Sequence, residues 1–478
     1  MRRNAAMHRV AVMLIIATSV ACSAAADSVD DYVRKVMAAA KIPGVSIVVR
    51  RDGKVIKSEG YGYANLEHKV PATPETIYQS GSLGKEFTAA GILLLFEDGK
   101  LALDDRLSKH FVDAPASWHR MTIRHLLSHT SGLKDYGTDE FDVRKDYTED
   151  EFLAIIKRMP VDFEPGTQWS YSNTGYLLLG ILTSRLAGKH WSEFQAERLF
   201  APIGMSTTRV ISERDLVTHR AAGYELDDNG ELKNQEWVSP SLNRLADGAL
   251  YFSVKDLAEW DAALDARRFM KPESFEAWWK PVSITNGTTY PYGFGWSIQE
   301  QRGHLLIEHG GAWQGFRSAI ARYPGQNLAV AVLSNLAQAE PEMMAHAIAG
   351  LLEPSLRMPD AASARQDPDA NRTGRLRGVL EAWADYRTTP DMARALAATT
   401  TGTMREAYGR SETGKQLAAT RGFRFVGEDD LSERPVEMYG DRVKRIVYYA
   451  LETDESRHIY RFRLDRTGRV IDFDSEER

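Results

Sequence analysis

Ser80-Gly81-Ser82-Leu83-Gly84-Lys85 opens a run, Glu86-Phe87-Thr88-Ala89-Ala90-Gly91-Ile92-Leu93-Leu94-Leu95-Phe96, that is apolar all round after Glu86 save for Thr88, until Glu97-Asp98-Gly99 stops it. A helix without a polar face is buried in the middle of a domain. Ser82 and Lys85, three residues apart, share one face of its first turn. A lysine shielded from water there bears its charge at a high cost. As a free amine it can take the proton of a serine hydroxyl and make a nucleophile of it. The Ser82 backbone N–H, at the helix N-terminus, aims partial positive charge at a developing oxyanion. Ser-x-x-Lys alone also arises by chance, with the serine as an N-cap and the lysine snorkelling. Position 80 is Ser, so there is no Gly-x-Ser-x-Gly elbow and an α/β-hydrolase is disfavoured.

Two later segments supply what such a serine would need. Glu164-Pro165-Gly166-Thr167-Gln168-Trp169-Ser170-Tyr171-Ser172-Asn173 joins a Pro-Gly turn to Tyr-x-Asn, ahead of a helix expected over Tyr176–Leu186. Tyr171 can exchange protons with Lys85, and the Asn173 amide can orient a substrate carbonyl and the lysine. Glu308-His309-Gly310-Gly311-Ala312-Trp313 ends an expected strand. Its paired glycines allow another backbone to come close. The Ala312 N–H is then the second oxyanion donor, and His309 would face the leaving group or a substrate carboxylate. Taken singly, Tyr171 reads equally as a core aromatic, Asn173 as a helix cap, and His309 as a surface histidine beside a turn.

Ser-x-x-Lys, Tyr-x-Asn and His-x-Gly in this order resemble the serine β-lactamase-like family. That family holds class C β-lactamases, DD-peptidases, D-aminopeptidases and β-lactamase-like esterases. Leu126-Leu127-Ser128-His129-Thr130-Ser131-Gly132-Leu133 and Gly293-Phe294-Gly295-Trp296 fit as well, so the resemblance covers roughly 29–352. It implies Ser82 as the acylated nucleophile, Lys85 and Tyr171 sharing the acid/base role, and Asn173, Gly310 and Gly311 orienting substrate. It also implies a two-lobed α+β fold, an antiparallel sheet flanked by helices plus an all-helical lobe, with the site between them. His309 and Gly310 stand where class C enzymes have the Lys and Thr of Lys-Thr-Gly. Losing a charge-assisted hydrogen bond worth roughly 1.5–3 kcal/mol weakens a carboxylate-bearing substrate by one to two orders of magnitude. The expected activity is hydrolysis of a small ester or amide, of esterase or D-amino-acid peptidase type, without metal or organic cofactor. The alternatives are a DD-carboxypeptidase or class C-like β-lactamase, or a non-catalytic penicillin-binding-like sensor.

Outward from these motifs, a helical pattern at 27–41 precedes strands at Val45–Arg51 and Lys54–Gly62, joined by Asp52-Gly53. Residues 82–280 read as helices and loops, and strands return at 293–299, 303–309, 315–323 and 327–334. Strands flanking a helical insertion imply one sheet built from distant segments. The Pro-, Ala- and Asp-rich stretch 354–375 reads as a linker between a hydrolase domain at 27–353 and a small α+β accessory domain at 376–478. That last domain is expected to be helical at Leu376–Tyr386 and Met392–Ala398, and strand-like at Phe423–Gly427, Arg442–Leu451 and His458–Phe473.

Residues 1–26 join Arg2, Arg3 and Arg9 to a short apolar run and Ala24-Ala25-Ala26, the pattern of a signal peptide cut after Ala26. Export to the periplasm or beyond follows. Lipidation at Cys22 is disfavoured because Ser19-Val20-Ala21 lacks a bulky aliphatic residue three positions before the cysteine. The apolar run is too short for the ~20 residues of a membrane span. A formal net charge of −6 without a basic block excludes a nucleic-acid footprint, and a single cysteine excludes an internal disulfide framework. The oligomeric state is left open.

Overall fold

A computed structural model describes residues 28–137, 141–212, 214–287, 289–384, 414–420, 422–433, 442–454 and 456–477. The leader at 1–26 and the helix expected at Met392–Ala398 lie outside the described residues. Seven strands form one antiparallel sheet in the order Ser297–Gln301, His304–Trp313, Phe316–Tyr323, Leu328–Ser334, Gly44–Arg51, Lys54–Asn65, Val70–Pro71. The chain's first strand pairs with one nearly 300 residues later, Val45 opposite Ser334 and Arg51 opposite Leu328. Period-two alternation sorts the strand Gly44–Arg51 between two cores. Val45, Ile47 and Val49 pack with the helix at 28–40 and with helix Pro341–Leu352 on the outer face. Val48 faces the larger core beneath the helical lobe.

Helix Lys85–Glu97 runs through that larger core, buried from Lys85 to Leu95. Phe87 packs on Trp260 with ring centroids 4.5 Å apart, and the helix lies against helix Asn173–Ala187. A helix this apolar is stable only when enclosed on every side, and the helical insertion encloses it. Ser82 and Lys85 do not share an α-helical turn. Gly81–Gly84 is a 3-10 turn with Gly81 at φ +52, and the α-helix starts at Lys85. In 3-10 geometry residues three apart eclipse, which aligns Ser82 with Lys85 more closely than an α-turn would.

The segment 293–299 is strand only from Ser297, because Gly295 takes φ +74 where its backbone presses on the helix start. A Cβ there would lie 2.7 Å from Lys85 O. Among the described residues no helix is long and apolar enough to cross a membrane.

Strands Gly422–Asp430, Arg445–Glu452, Arg457–Leu464 and Val470–Glu477 form a second antiparallel sheet, with helix Arg372–Ala384 packed on one face. Its other face takes Met358 and Ala361 from the segment after Pro354, so that segment is packed rather than free. This sheet grips the first one at a hairpin. Arg302, in the turn before His304, makes a bidentate pair with Asp429 at 2.7 Å, and Arg463 reaches Glu300 at 3.0 Å. Arg463 is 2% and Glu300 0% exposed. Removing one partner of a buried pair leaves the other charge uncompensated, at a cost of roughly 3–5 kcal/mol. Arg463→Ala is therefore expected to lower unfolding free energy by about 3 kcal/mol in urea titration. A change under about 1 kcal/mol would show that the pair is solvated.

Candidate active site

Lys85 is fully buried, and its Nζ lies 3.0 Å from Ser82 Oγ, 2.7 Å from Asn173 Oδ1 and 2.8 Å from Asp247 O. The last two are acceptors only. All three oxygens accept from Lys85 Nζ, and an amine that gave up one proton there would keep its two N–H bonds on the fixed acceptors and turn its lone pair toward the serine hydroxyl. The Tyr171 hydroxyl is buried and, among the described residues, without a hydrogen-bond partner, and Lys85 Nζ stands 5.0 Å from the Tyr171 ring centre. An unpaired buried phenol is costly unless a reacting group completes it.

Asn173 is held in place by Asp135, which accepts from its backbone N at 2.6 Å and its Nδ2 at 2.9 Å. Those bonds leave Asn173 Oδ1 free to receive the lysine. Burial raises the Asp135 pKa, while the Thr174 and Asn173 amides and the charge of Lys85 pull it down.

Strand His304–Trp313 passes beside the nucleophile turn. A Cβ on Gly311 would sit 1.9 Å from Ser80 O and 2.9 Å from Leu83 N, and one on Gly81 would sit 2.4 Å from Ala312 N. Ser318 Oγ donates to Ser80 O at 2.5 Å and clamps the two backbones together. The missing side chains thus bring the Ala312 N–H alongside the turn that carries the Ser82 N–H.

His309 spends both ring nitrogens inside the protein. The Ser172 N–H donates to His129 Nδ1 at 3.1 Å, so His129 is protonated on Nε2, which donates to Tyr292 Oη at 3.2 Å. Tyr292 donates to His309 Nε2 at 2.9 Å, and His309 Nδ1 donates to Gly310 O at 2.6 Å. The imidazole expected to face substrate instead braces the strand. The His129 ring also lies against Tyr171, centroids 4.3 Å apart.

Burial and then the nearby Lys85 charge lower both histidine pKa values, His129 well below the ordinary range and His309 to about 4. An unfolded histidine takes its proton near pH 6.5, whereas native His309 waits until about pH 4. The His309 contribution to stability is therefore whole above pH 6.5 and is lost as pH falls toward 4, a loss on the order of 3 kcal/mol. The stability difference between wild type and His309→Asn should shrink over that interval in urea titrations. A difference that stays flat from pH 7.5 to 4.5 would contradict a neutral His309.

Sequence reading missed Asp135, Asp247 and Tyr292. They lie on loops whose only signal was proximity, which the fold creates. His129 was legible only as part of a matching stretch.

Known proteins resemble the front two thirds of this chain. Penicillin-binding protein 4* of Bacillus subtilis (strain 168) is 32% identical over 307 residues, 61% of this chain and 67% of that protein. A D-aminopeptidase of Gluconobacter oxydans (strain 621H) is 28% identical over 304 residues, 61% of this chain but 56% of that protein. The chain thus spans between about half and two thirds of these relatives. The solved D-amino acid amidase from Ochrobactrum anthropi SV3 superposes with a TM-score of 0.59 at 26% identity, covering 70% of this chain and 97% of that one. The Beta-lactamase family model matches residues 29–355, so the chain belongs to the β-lactamase family, with the expected two-lobed α+β fold.

Proposed function

We propose that the protein is a serine hydrolase that cleaves a small ester or amide through a covalent acyl-enzyme on Ser82. The observation that carries this is the enclosed Lys85 amine 3.0 Å from Ser82 Oγ, with both its other contacts fixed acceptors. The Ser82 proton passes to Lys85 as Oγ bonds to the substrate carbonyl carbon. The oxyanion so formed is held by the Ser82 and Ala312 N–H groups. The tetrahedral species collapses as the leaving group departs with a proton from Lys85 or Tyr171. Water then attacks the acyl-enzyme by the reverse path and frees Ser82. Asn173 positions the amine and the substrate carbonyl, and Asp135 positions Asn173. His309 has no free nitrogen for a proton transfer, so it acts by holding the strand.

The DD-peptidase and β-lactamase alternative is less favoured, because His309 and Gly310 offer a substrate carboxylate neither a cation nor a hydroxyl. The activities for which these relatives are named, D-aminopeptidase and D-amino acid amidase, support amide substrates.

Treatment with a fluorophosphonate should add one adduct, located by mass on the peptide containing Ser82. Ser82→Ala should lose both the adduct and turnover of p-nitrophenyl acetate while keeping its circular dichroism. An adduct retained in that variant would place the nucleophile elsewhere.

A further inference from the structure

Helices Glu149–Ile156, Asn173–Ala187 and Trp191–Gln195 of the helical lobe meet the segment 241–246 around a half-open cavity of about 290 Å³. Ser82, Lys85 and Tyr171 are not among its walls, so it is separate from the site described above. Phe152, Leu177, Ile181, Trp191 and Leu245 make it mostly apolar. The wall at 244–246 is fixed from behind. Trp191 Nε1 donates to Arg244 O at 3.1 Å and Thr88 Oγ1 to Ala246 O at 2.6 Å, and a Cβ on Gly180 would lie 2.3 Å from Ala246 Cβ. The cavity is therefore preformed, which lowers the cost of filling it.

Its polar groups decide what could fill it. The Ser241, Thr148 and Tyr147 hydroxyls already accept from the Tyr147, Glu151 and Asp142 N–H groups. Two donors remain. Arg244 is exposed on the cavity wall and, among the described residues, makes no ion pair. The Ser192 N–H donates to His190 Nδ1 at 3.3 Å, which puts the His190 ring proton on Nε2. Burial and then the Arg244 charge, against the pull of Glu193, lower the His190 pKa and keep that ring neutral. Glu149, the acid on the wall, stands 3.7 Å from Arg185, which offsets its charge. The balance at the cavity is cationic.

We infer that this cavity is a second binding site, for a small carboxylate with an apolar chain. The carboxylate pairs with the Arg244 guanidinium, whose planar fork matches it, and accepts from the His190 Nε2–H. The chain lies among Phe152, Leu177 and Ile181, where each methylene it removes from water adds affinity. A neutral alcohol of the same length forfeits the charge-assisted pair, and an amine of that length meets Arg244 as a like charge.

Isothermal titration of the full chain with sodium octanoate, below its micelle concentration, is the test. Octanoate should bind saturably at one site, and 1-octanol at least tenfold more weakly. Arg244→Ala, a change at an exposed side chain, should weaken octanoate by at least tenfold, and Arg244→Lys should restore part of the loss. Ile181→Phe places a ring inside the cavity and should abolish binding while leaving circular dichroism unchanged. Absence of saturable binding in the wild type would overturn the proposal, as would an octanoate affinity within twofold of wild type in Arg244→Ala. Full affinity in a folded Ile181→Phe protein would overturn it too, by placing the acid elsewhere, the Ser82 site included.

Discussion

Lys85→Ala is expected to slow acylation of Ser82 by at least three orders of magnitude, about 4 kcal/mol of barrier. Three facts combine to make the effect large. The amine is enclosed, so no water can take its place without an opening. It lies 3.0 Å from the nucleophile, and its two remaining hydrogen bonds are to a carbonyl and an amide oxygen that cannot act as bases. Tyr171 keeps its hydroxyl but has no route to Ser82 through a protonated partner. Stopped-flow labelling with a fluorophosphonate isolates this step from deacylation. A loss of less than tenfold, roughly 1.4 kcal/mol, would show that the lysine lies outside the proton path. Asn173→Ala should produce a smaller defect of about tenfold to a hundredfold, because Asp247 O still holds the amine.

Gly311→Ala is expected to abolish measurable turnover although the new methyl group is far from any reacting bond. Its Cβ would fall 1.9 Å from Ser80 O, 2.4 Å from Ser318 Oγ and 2.9 Å from Leu83 N. Two of those atoms are backbone and cannot rotate away, so the strand must separate from the nucleophile turn. That separation breaks the Ser318 clamp and pulls the Ala312 N–H from the Ser82 N–H. Catalysis is sensitive to shifts of about 1 Å, which cost roughly a hundredfold, and overpacking adds about 1–3 kcal/mol of destabilisation. Activity within tenfold of wild type would mean that the two N–H groups do not act together. Gly325→Ala, with open space around its Cβ position, is the control and should change neither property.

The helix of residues 85–97 and the strands around 44–65 and 304–334 were legible because their chemistry is local, an unbroken apolar run or an alternation bounded by turns. The three motifs were legible because each pairs a reactive group with a turn or helix start. What the sequence concealed was the state of those groups. The carboxyl that orients Asn173 comes from a loop without pattern, and the acceptor for Lys85 at 247 is a backbone carbonyl, which no side-chain motif can announce. His309 was read as a substrate-facing group because its partner, Tyr292, is seventeen residues away across a turn.

The grip of Arg463 and Arg302 on the hairpin at 300–304 bears on how this protein was assembled. Cutting the chain near residue 355 would remove Arg463 and Asp429 and turn the hairpin's Glu300 from a buried partner into a group on a newly wetted face. A hybrid joining this front portion to a foreign rear module would need acidic and basic groups that match at that seam.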